Sequence, residues 1–370
     1  VTTRRIEVFR IVSRTDRQPF SLEPIMSSRC LRHAVLATCL LAGAAHADIL
    51  VGDYRAPTPG PVLRFGVEQT GNRAPLASLT TNLGADVMQT PMSMTYEPVE
   101  NVVWVSDYYG QSIRVYPVGA SGNVAPLRTL TSTHLGQPRQ TAIDRTHGEL
   151  LVIIQNCCVA TYPLGASGDM GFPTRNVWWG GNGGLSRLNN PVHLYYLEAS
   201  DQVVVSDVQY VGGVGSGMLL FFARAASGNV APARVIEGPS TLLGNFVAGL
   251  AYVPQHGELI ALTSTNGVYR LVTFAESASG DVAPVRVIEG PDLGIENPGA
   301  ITYDAGTDRV YVLSGSYNSP NPAVLAFPRT ATGNVAPVRR IAGLRTTLAA
   351  PVGIVAVPPS DWIFADTFND

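Results

Sequence analysis

Apolar residues in this chain fall in short runs, not at helical spacing. From position 49 onward the runs are rich in Val, Ile, Leu and Tyr and are broken by Gly, Asn, Asp, Ser and Pro. That is the pattern of β-strands joined by tight turns. The segment 138–173 shows it well: a Gly-x-Pro turn leads into 141–144 (TAID), then 150–154 (LLVII), then 159–162 (VATY), then an Ala-Ser-Gly-Asp turn. No stretch beyond position 47 places apolar residues at i, i+3, i+4 and i+7, so no long helix is expected.

The turns repeat. A GNVAP string or a close relative occurs six times, at 71–75 (GNRAP), 122–126, 168–173 (GDMGFP), 228–232, 280–284 (GDVAP) and 333–337, at intervals of 46 to 60 residues. Each period holds four strand-like pieces. A radial array of four-stranded units accounts for a near-constant period, whereas a sandwich does not. The expected fold class is therefore all-β: a six-bladed β-propeller of four-stranded antiparallel blades over 48–358. Its closure is also legible. Residues 49–54 (ILVGDY) match the second strands at 102–107 and 203–207, and 63–67 and 76–79 supply third and fourth strands. The missing innermost strand is 351–357 (PVGIVAV), so the ring is expected to close with one C-terminal plus three N-terminal strands. Residues 362–368 (WIFADTF) resemble a surplus second strand and are assigned to a tail, 359–370.

Within the repeat, the motif proline is expected on the outer strand, where a missing ladder donor is tolerated and discourages edge-to-edge pairing. Arg128, Arg234, Arg286 and Arg339 alternate with apolar residues and read as solvated rim charges, and the Asn or Asp after the motif glycine reads as turn chemistry.

Residues 26–47 read as a secretory signal peptide: Arg29 and Arg32, then an apolar AVLATCLL at 34–41, then Ala45-His46-Ala47 as the cleavage pattern. The mature start is then Asp48 and the product is secreted or periplasmic. Residues 1–25, with five arginines ahead of Met26, read as an over-extended gene start; Arg4-Arg5 as a twin-arginine signal is the rival reading. Cys39 raises a lipoprotein signal, against which Thr38 and the position inside the apolar run both argue. The chain has no lysine, and the part beyond residue 47 carries 18 Arg against 25 Asp and Glu, a net charge of −7. Such a surface argues against nucleic-acid partners and anionic membranes, and the apolar run is too short for membrane insertion. A monomer is expected. Cys157 and Cys158 read as two thiols or as a vicinal disulfide.

Inner strands such as AIDR (142–145), second strands such as WVSDY (104–108) and third strands such as IRVY (113–116), each blade ending on a glycine turn, resemble NHL-type and other six-bladed TolB-like propellers over 49–357. The resemblance implies the fold and leaves function open, since such rings serve as scaffolds, lyases, lactonases and binding proteins. In the lactonases it also implies a divalent metal such as calcium in the channel, held by Glu, Asn and Asp from several blades.

The carboxylates here follow the repeat instead. Asp144 and Asp304 end inner strands, with Glu97 and Glu198 in register, and Asp53, Asp107 and Asp207 end second strands, so turn and capping roles are expected. Of His134, His147, His193 and His256, two sit in matching His-Gly-Glu turns. No HExxH, EF-hand loop or GxSxG elbow is present, and Gly212–Gly217 lacks the following helix of a phosphate cradle. No catalytic residue and no cofactor is assigned.

The loops joining strands two to three, and blade to blade, share one face of a propeller. There the sequence places its long insertions, 177–190, 209–217 and 315–322, and with them Trp178, Trp179, Tyr210 and Tyr317; Tyr108 and Tyr109 begin an equivalent loop. Exposed aromatics on a rigid scaffold suit a protein, glycan or small ligand. The expected function is a non-catalytic binding module acting through that face. The alternative is a metal-dependent lactonase- or lyase-like enzyme with its site in the channel.

Overall fold

Valine-, isoleucine- and leucine-rich runs need burial on both faces, and the ring supplies it. In the computed structural model, described over residues 47–357 except 56–57, 179–183 and 318, the second strands Val102–Asp107 and Asp48–Asp53 are buried at every position. The chain forms six antiparallel blades, each with four principal strands, around a central channel. Blade 2, for example, runs Pro91–Glu97, Val102–Asp107, Ser112–Pro117 and Arg128–Thr131 from channel to rim.

The core is not one mass. It consists of six apolar wedges, each filled from the facing sides of two neighbouring blades. Trp104, Ile113 and Val115 of blade 2 meet Val152, Ile154 and Tyr162 of blade 3 in one of them. At ~1.5–3 kcal/mol per fully buried large side chain, each wedge is a major stabilising unit.

Blade 1 is composite, as the repeat predicts. Pro351–Val357 pairs antiparallel with Asp48–Asp53, followed by Val62–Gly66 and Ala77–Thr80. The signal-peptide, gene-start and tail assignments lie outside the described residues. No helix among the described residues is long and apolar enough to cross a membrane.

The repeated motif does more than turn the chain. Each motif glycine forms a parallel bridge to the outer strand of the preceding blade: Leu79–Gly122, Leu130–Gly168, Val177–Gly228, Ile236–Gly280, Ile288–Gly333 and, closing the ring, Ile341–Gly71. All six glycines have φ between +73° and +81°, where a Cβ is disfavoured. The next residue caps the preceding blade. Asn72 Oδ1 accepts from Arg345 N–H at 2.7 Å, Asp281 Oδ1 from Ser240 N–H at 2.8 Å and Asn334 Oδ1 from Asp292 N–H at 2.9 Å. The third copy departs: Asp169 accepts from Gly171 N–H within its own turn.

One expectation about the rim is corrected and one refined. The motif prolines lie two residues ahead of the outer strands, not on them, and the next residue donates to the third strand, as Leu76 N–H does to Arg64 O at 2.8 Å. The rim arginines are partly exposed, as expected of rim charges, but each also has a partner. Arg128 pairs with Glu100 at 2.8 Å, Arg286 with Glu258 and Arg339 with Glu68, while Arg234 lies over the Phe221 ring and bonds Gln202. The segment 209–217 is likewise not an irregular loop. It extends a hairpin, Gln202–Val211 with Val214–Ala223, turned by Gly212 and Gly213 at positive φ.

Candidate functional site

The carboxylates that end strands are fully used by backbone. Asp107 accepts from the N–H groups of Gln89, Thr90 and Gly110, and Asp53 from those of Ala349 and Ala350. Each thereby pins the incoming blade-to-blade loop over its channel-facing strand. Asp53 and Asp107 also hold a guanidinium, Arg55 at 2.8 Å and Arg114 at 3.0 Å. Asp207 accepts from Asn189, Asn190 and Val208 but has no ion pair among the described residues, and burial pushes its carboxyl up to about 6. Asp144 and Asp304 bind the amides of their own turns, and Glu97 binds those of Val99 and Glu100. These are the capping roles expected.

At Asp53 and Asp107 the same capping geometry brings the residues that follow to the channel mouth. Tyr54 follows Asp53, and Tyr108 and Tyr109 follow Asp107. Tyr317 arrives from the two-to-three loop of blade 6. Ring centroids of Tyr54 lie 6.0 Å from Tyr109 and 6.2 Å from Tyr317, and Tyr108 meets Tyr109 edge-on at 4.9 Å. With Thr90, Met92 and Arg139 they line a cavity of about 220 Å³.

Arg139 is the group that the sequence reading passed over. It is the first residue after Pro138, which opens the inner strand of blade 3. Its Nε donates to Gln155 Oε1 at 3.0 Å, and no carboxylate reaches it among the described residues. Burial holds its pKa below the ordinary arginine value, opposed by Tyr108, Tyr317 and Asp207. Burial in turn raises the Tyr108 and Tyr317 hydroxyls above the ordinary tyrosine value.

Below the mouth lies a second channel cavity of about 190 Å³, and Met92 lines both. Among the described residues, three side chains there carry buried polar atoms with no hydrogen-bond partner, Ser93 Oγ, Gln140 Oε1 and His193 Nδ1, while the Gln140 amide also meets the Tyr195 hydroxyl. They occupy one level, each two residues past a proline at or just ahead of the start of an inner strand (Pro91, Pro138, Pro191). The corresponding residues of blades 6 and 1, after Pro298 and Pro351, are Ala300 and Gly353. The level is thus polar on blades 2 to 4 and small and apolar opposite. Aligning the inner strands on their prolines would have exposed this departure from the repeat. Burial and the nearby Arg139 push His193 down to about 3, so its imidazole is neutral across the physiological range.

The other singled-out aromatics stand elsewhere. Tyr210 sits near the tip of the blade 4 hairpin. Trp178, 59% exposed, ends the outermost strand of blade 3. There it lines a rim groove of about 590 Å³ with Phe172, His134 and the Cys157–Cys158 pair. The two cysteines form a vicinal disulfide, and Phe172 stacks on His134 at 3.8 Å. Trp179 lies outside the described residues. So the structure joins Tyr108, Tyr109 and Tyr317 with Tyr54 and Arg139, and separates Trp178 and Tyr210 from them.

A channel metal of the lactonase kind needs converging carboxylates. No Asp or Glu lines either channel cavity, and among the described residues no group of three His, Cys, Asp or Glu could hold a metal ion. The donor set does not fit.

This arrangement defines the chain as a six-bladed β-propeller with an aromatic mouth. No family model matches it, and no curated protein sequence does. Among solved structures it is similar to a chain in a crystal structure of a nidogen–laminin complex, with a TM-score of 0.55 and 12% identity over 84% of this chain and 98% of that one. It is also similar to a protein from Bacteroides fragilis NCTC 9343 assigned as a 6-phosphogluconolactonase, with a TM-score of 0.47 and 13% identity over 85% and 99%. The first likeness speaks to the fold alone.

Proposed function

We propose that this propeller is a secreted, monomeric, non-catalytic binding module that takes its ligand at the channel mouth of the long-loop face. One observation carries the reading: Tyr54, Tyr108, Tyr109 and Tyr317 line one cavity with Arg139, which forms no salt bridge among the described residues and feels only the more distant charge of Asp207. Rigid aromatic rings with polar tips give large contact area at small entropic cost. A half-buried cation without a salt-bridge partner gains from a ligand that supplies the opposite charge. The vicinal disulfide supports the secreted reading, since thiols persist as such in the cytosol. The NHL-type character rests on the repeat strings alone. The hydrolytic alternative finds no support in the channel, which lacks the carboxylates that its metal requires.

The test is a thermal-shift screen of the full chain against sugars, organic acids and peptides. A ligand that raises Tm should lose its effect in the Tyr109→Ala, Tyr317→Ala double variant and keep it in Trp178→Ala. The opposite pattern would move the site to the rim groove and defeat the reading.

A further inference from the structure

The two channel cavities make unequal demands on an occupant. At the mouth stands one cation. Arg139 Nε is engaged by Gln155, and its two terminal amino groups carry no hydrogen bond among the described residues. Two parallel N–H donors on one edge match a carboxylate. A dianion such as a phosphate monoester would meet no second cation in the lining of either cavity.

In the chamber below stand neutral groups only. Gln140 and His193 are 93% and 92% buried, by exposures of 7% and 8%, and Ser93 is half-buried, yet one polar atom of each has no partner. Leaving such an atom unsatisfied is destabilising, and one ring level gathers three of them on consecutive blades. Gln140 Oε1 can only accept, while the Ser93 hydroxyl donates or accepts, as does a neutral imidazole according to its tautomer. Hydroxyl groups satisfy all three. The facing Ala300 and Gly353 leave a smooth wall suited to the apolar side of a ring.

We propose that the channel binds a small hydroxylated carboxylate of monosaccharide size, with its carboxylate on Arg139 between the tyrosines and its hydroxyls on Ser93, Gln140 and His193. The inference deepens the binding reading above and rests on it. Size favours the class: cavities of about 190 and 220 Å³ together stand near the lower end of the ~300–1,000 Å³ range of small-molecule pockets, which a monosaccharide-sized ligand fills and a longer chain would overrun. Charge supports the sign, because the two cavities are lined by a cation and no carboxylate inside a chain that is otherwise net acidic.

Titration calorimetry with glucuronate, and with glucose as its uncharged match, tests the proposal. Glucuronate should bind and glucose should bind at least ~10-fold more weakly, the order expected for one charge-assisted bidentate contact. Arg139→Gln should remove that preference, and Arg139→Lys should restore part of it if the charge rather than the fold was lost. Gln140→Leu carries the second readout. It should weaken glucuronate several-fold without lowering the thermal stability of the unliganded protein, because deleting an unsatisfied buried acceptor offsets the loss of the amide's bond to Tyr195. A purely structural glutamine would lower stability when replaced. Equal affinity for glucuronate and glucose, or no binding of either, overturns the inference. Should the tyrosine pair still govern another ligand in the screen, the binding reading stands and only the ligand class falls. A Gln140→Leu protein that is stabilised with glucuronate binding unchanged would assign the chamber to water.

Discussion

Gln155 Oε1 accepts two hydrogen bonds at once, from Arg139 Nε at 3.0 Å and from the Tyr108 hydroxyl. One neutral side chain at the end of blade 3's second strand therefore sets both the direction of the cation and the pose of a mouth tyrosine. It does so without neutralising the charge. Gln155→Leu should weaken an anionic channel ligand by ~3–10-fold and change folding stability by less than ~1 kcal/mol, the scale of one hydrogen bond at a partly exposed site. Calorimetry with glucuronate and urea titration of the same protein check both parts.

Glycines of the repeat should divide by what a Cβ would meet. Gly84 has φ +68° and open space around it, so Gly84→Ala should cost ~1 kcal/mol. Gly290 has φ +145°, and a Cβ there would fall 2.3 Å from Asn334 Oδ1, the atom that caps Asp292. Gly290→Ala should therefore cost ~3 kcal/mol or more, since a conformation open essentially to glycine and the inter-blade cap are lost together. Denaturant unfolding of the two variants separates these outcomes.

Acid should act on His193. Its folded pKa of about 3 lies below the ordinary 6.5, so the unfolded chain gains a proton before the folded one does. The stability this represents is complete above pH ~6.5 and is lost progressively as pH falls toward 3. Asp207, raised to about 6, works the other way: its penalty is full above pH ~6 and disappears as pH falls toward the ordinary aspartate range. His193→Gln should leave the Asp207 trend exposed, so that stability between pH 6.5 and 4 declines less than in the parent. Unfolding midpoints across that range give the comparison, and an unchanged acid slope would contradict it.

Reduction of Cys157–Cys158 should barely alter folding. The bridge joins adjacent residues, so it closes almost no loop and constrains the unfolded chain little, by ~1 kcal/mol or less. Calorimetric Tm with and without a phosphine reductant should agree within ~2 °C. Because the pair lines the groove of Trp178, any ligand of that groove should respond to reduction while a channel ligand should not.

Ending the chain at Ala350 should destroy cooperativity. It removes the innermost strand of blade 1, whose pairing with Asp48–Asp53 joins the two ends of the propeller, and it opens the channel wall at Gly353. The truncated protein should lose its sharp thermal transition in circular dichroism and expose apolar surface to a hydrophobic dye.

Much of this was written in the chain order. Strands, blade count and the composite closing blade follow from runs of apolar residues and from a motif that returns six times, because local turn chemistry and the strand period are properties of neighbouring residues. The face bearing Tyr108, Tyr109 and Tyr317 was legible too, because topology fixes which loops share a side. What the sequence could not convey was proximity between blades. That the motif asparagine caps the blade before it, that Arg128, Arg286 and Arg339 find carboxylates, that Trp178 stands on the rim rather than at the mouth, and that Arg139 forms no salt bridge among the described residues are all relations across tens of residues or more. They exist only once the ring has closed. The channel chemistry belongs to the same class: Ser93, Gln140 and His193 are unremarkable in their own strands and become a site because radial symmetry brings equivalent positions to one level.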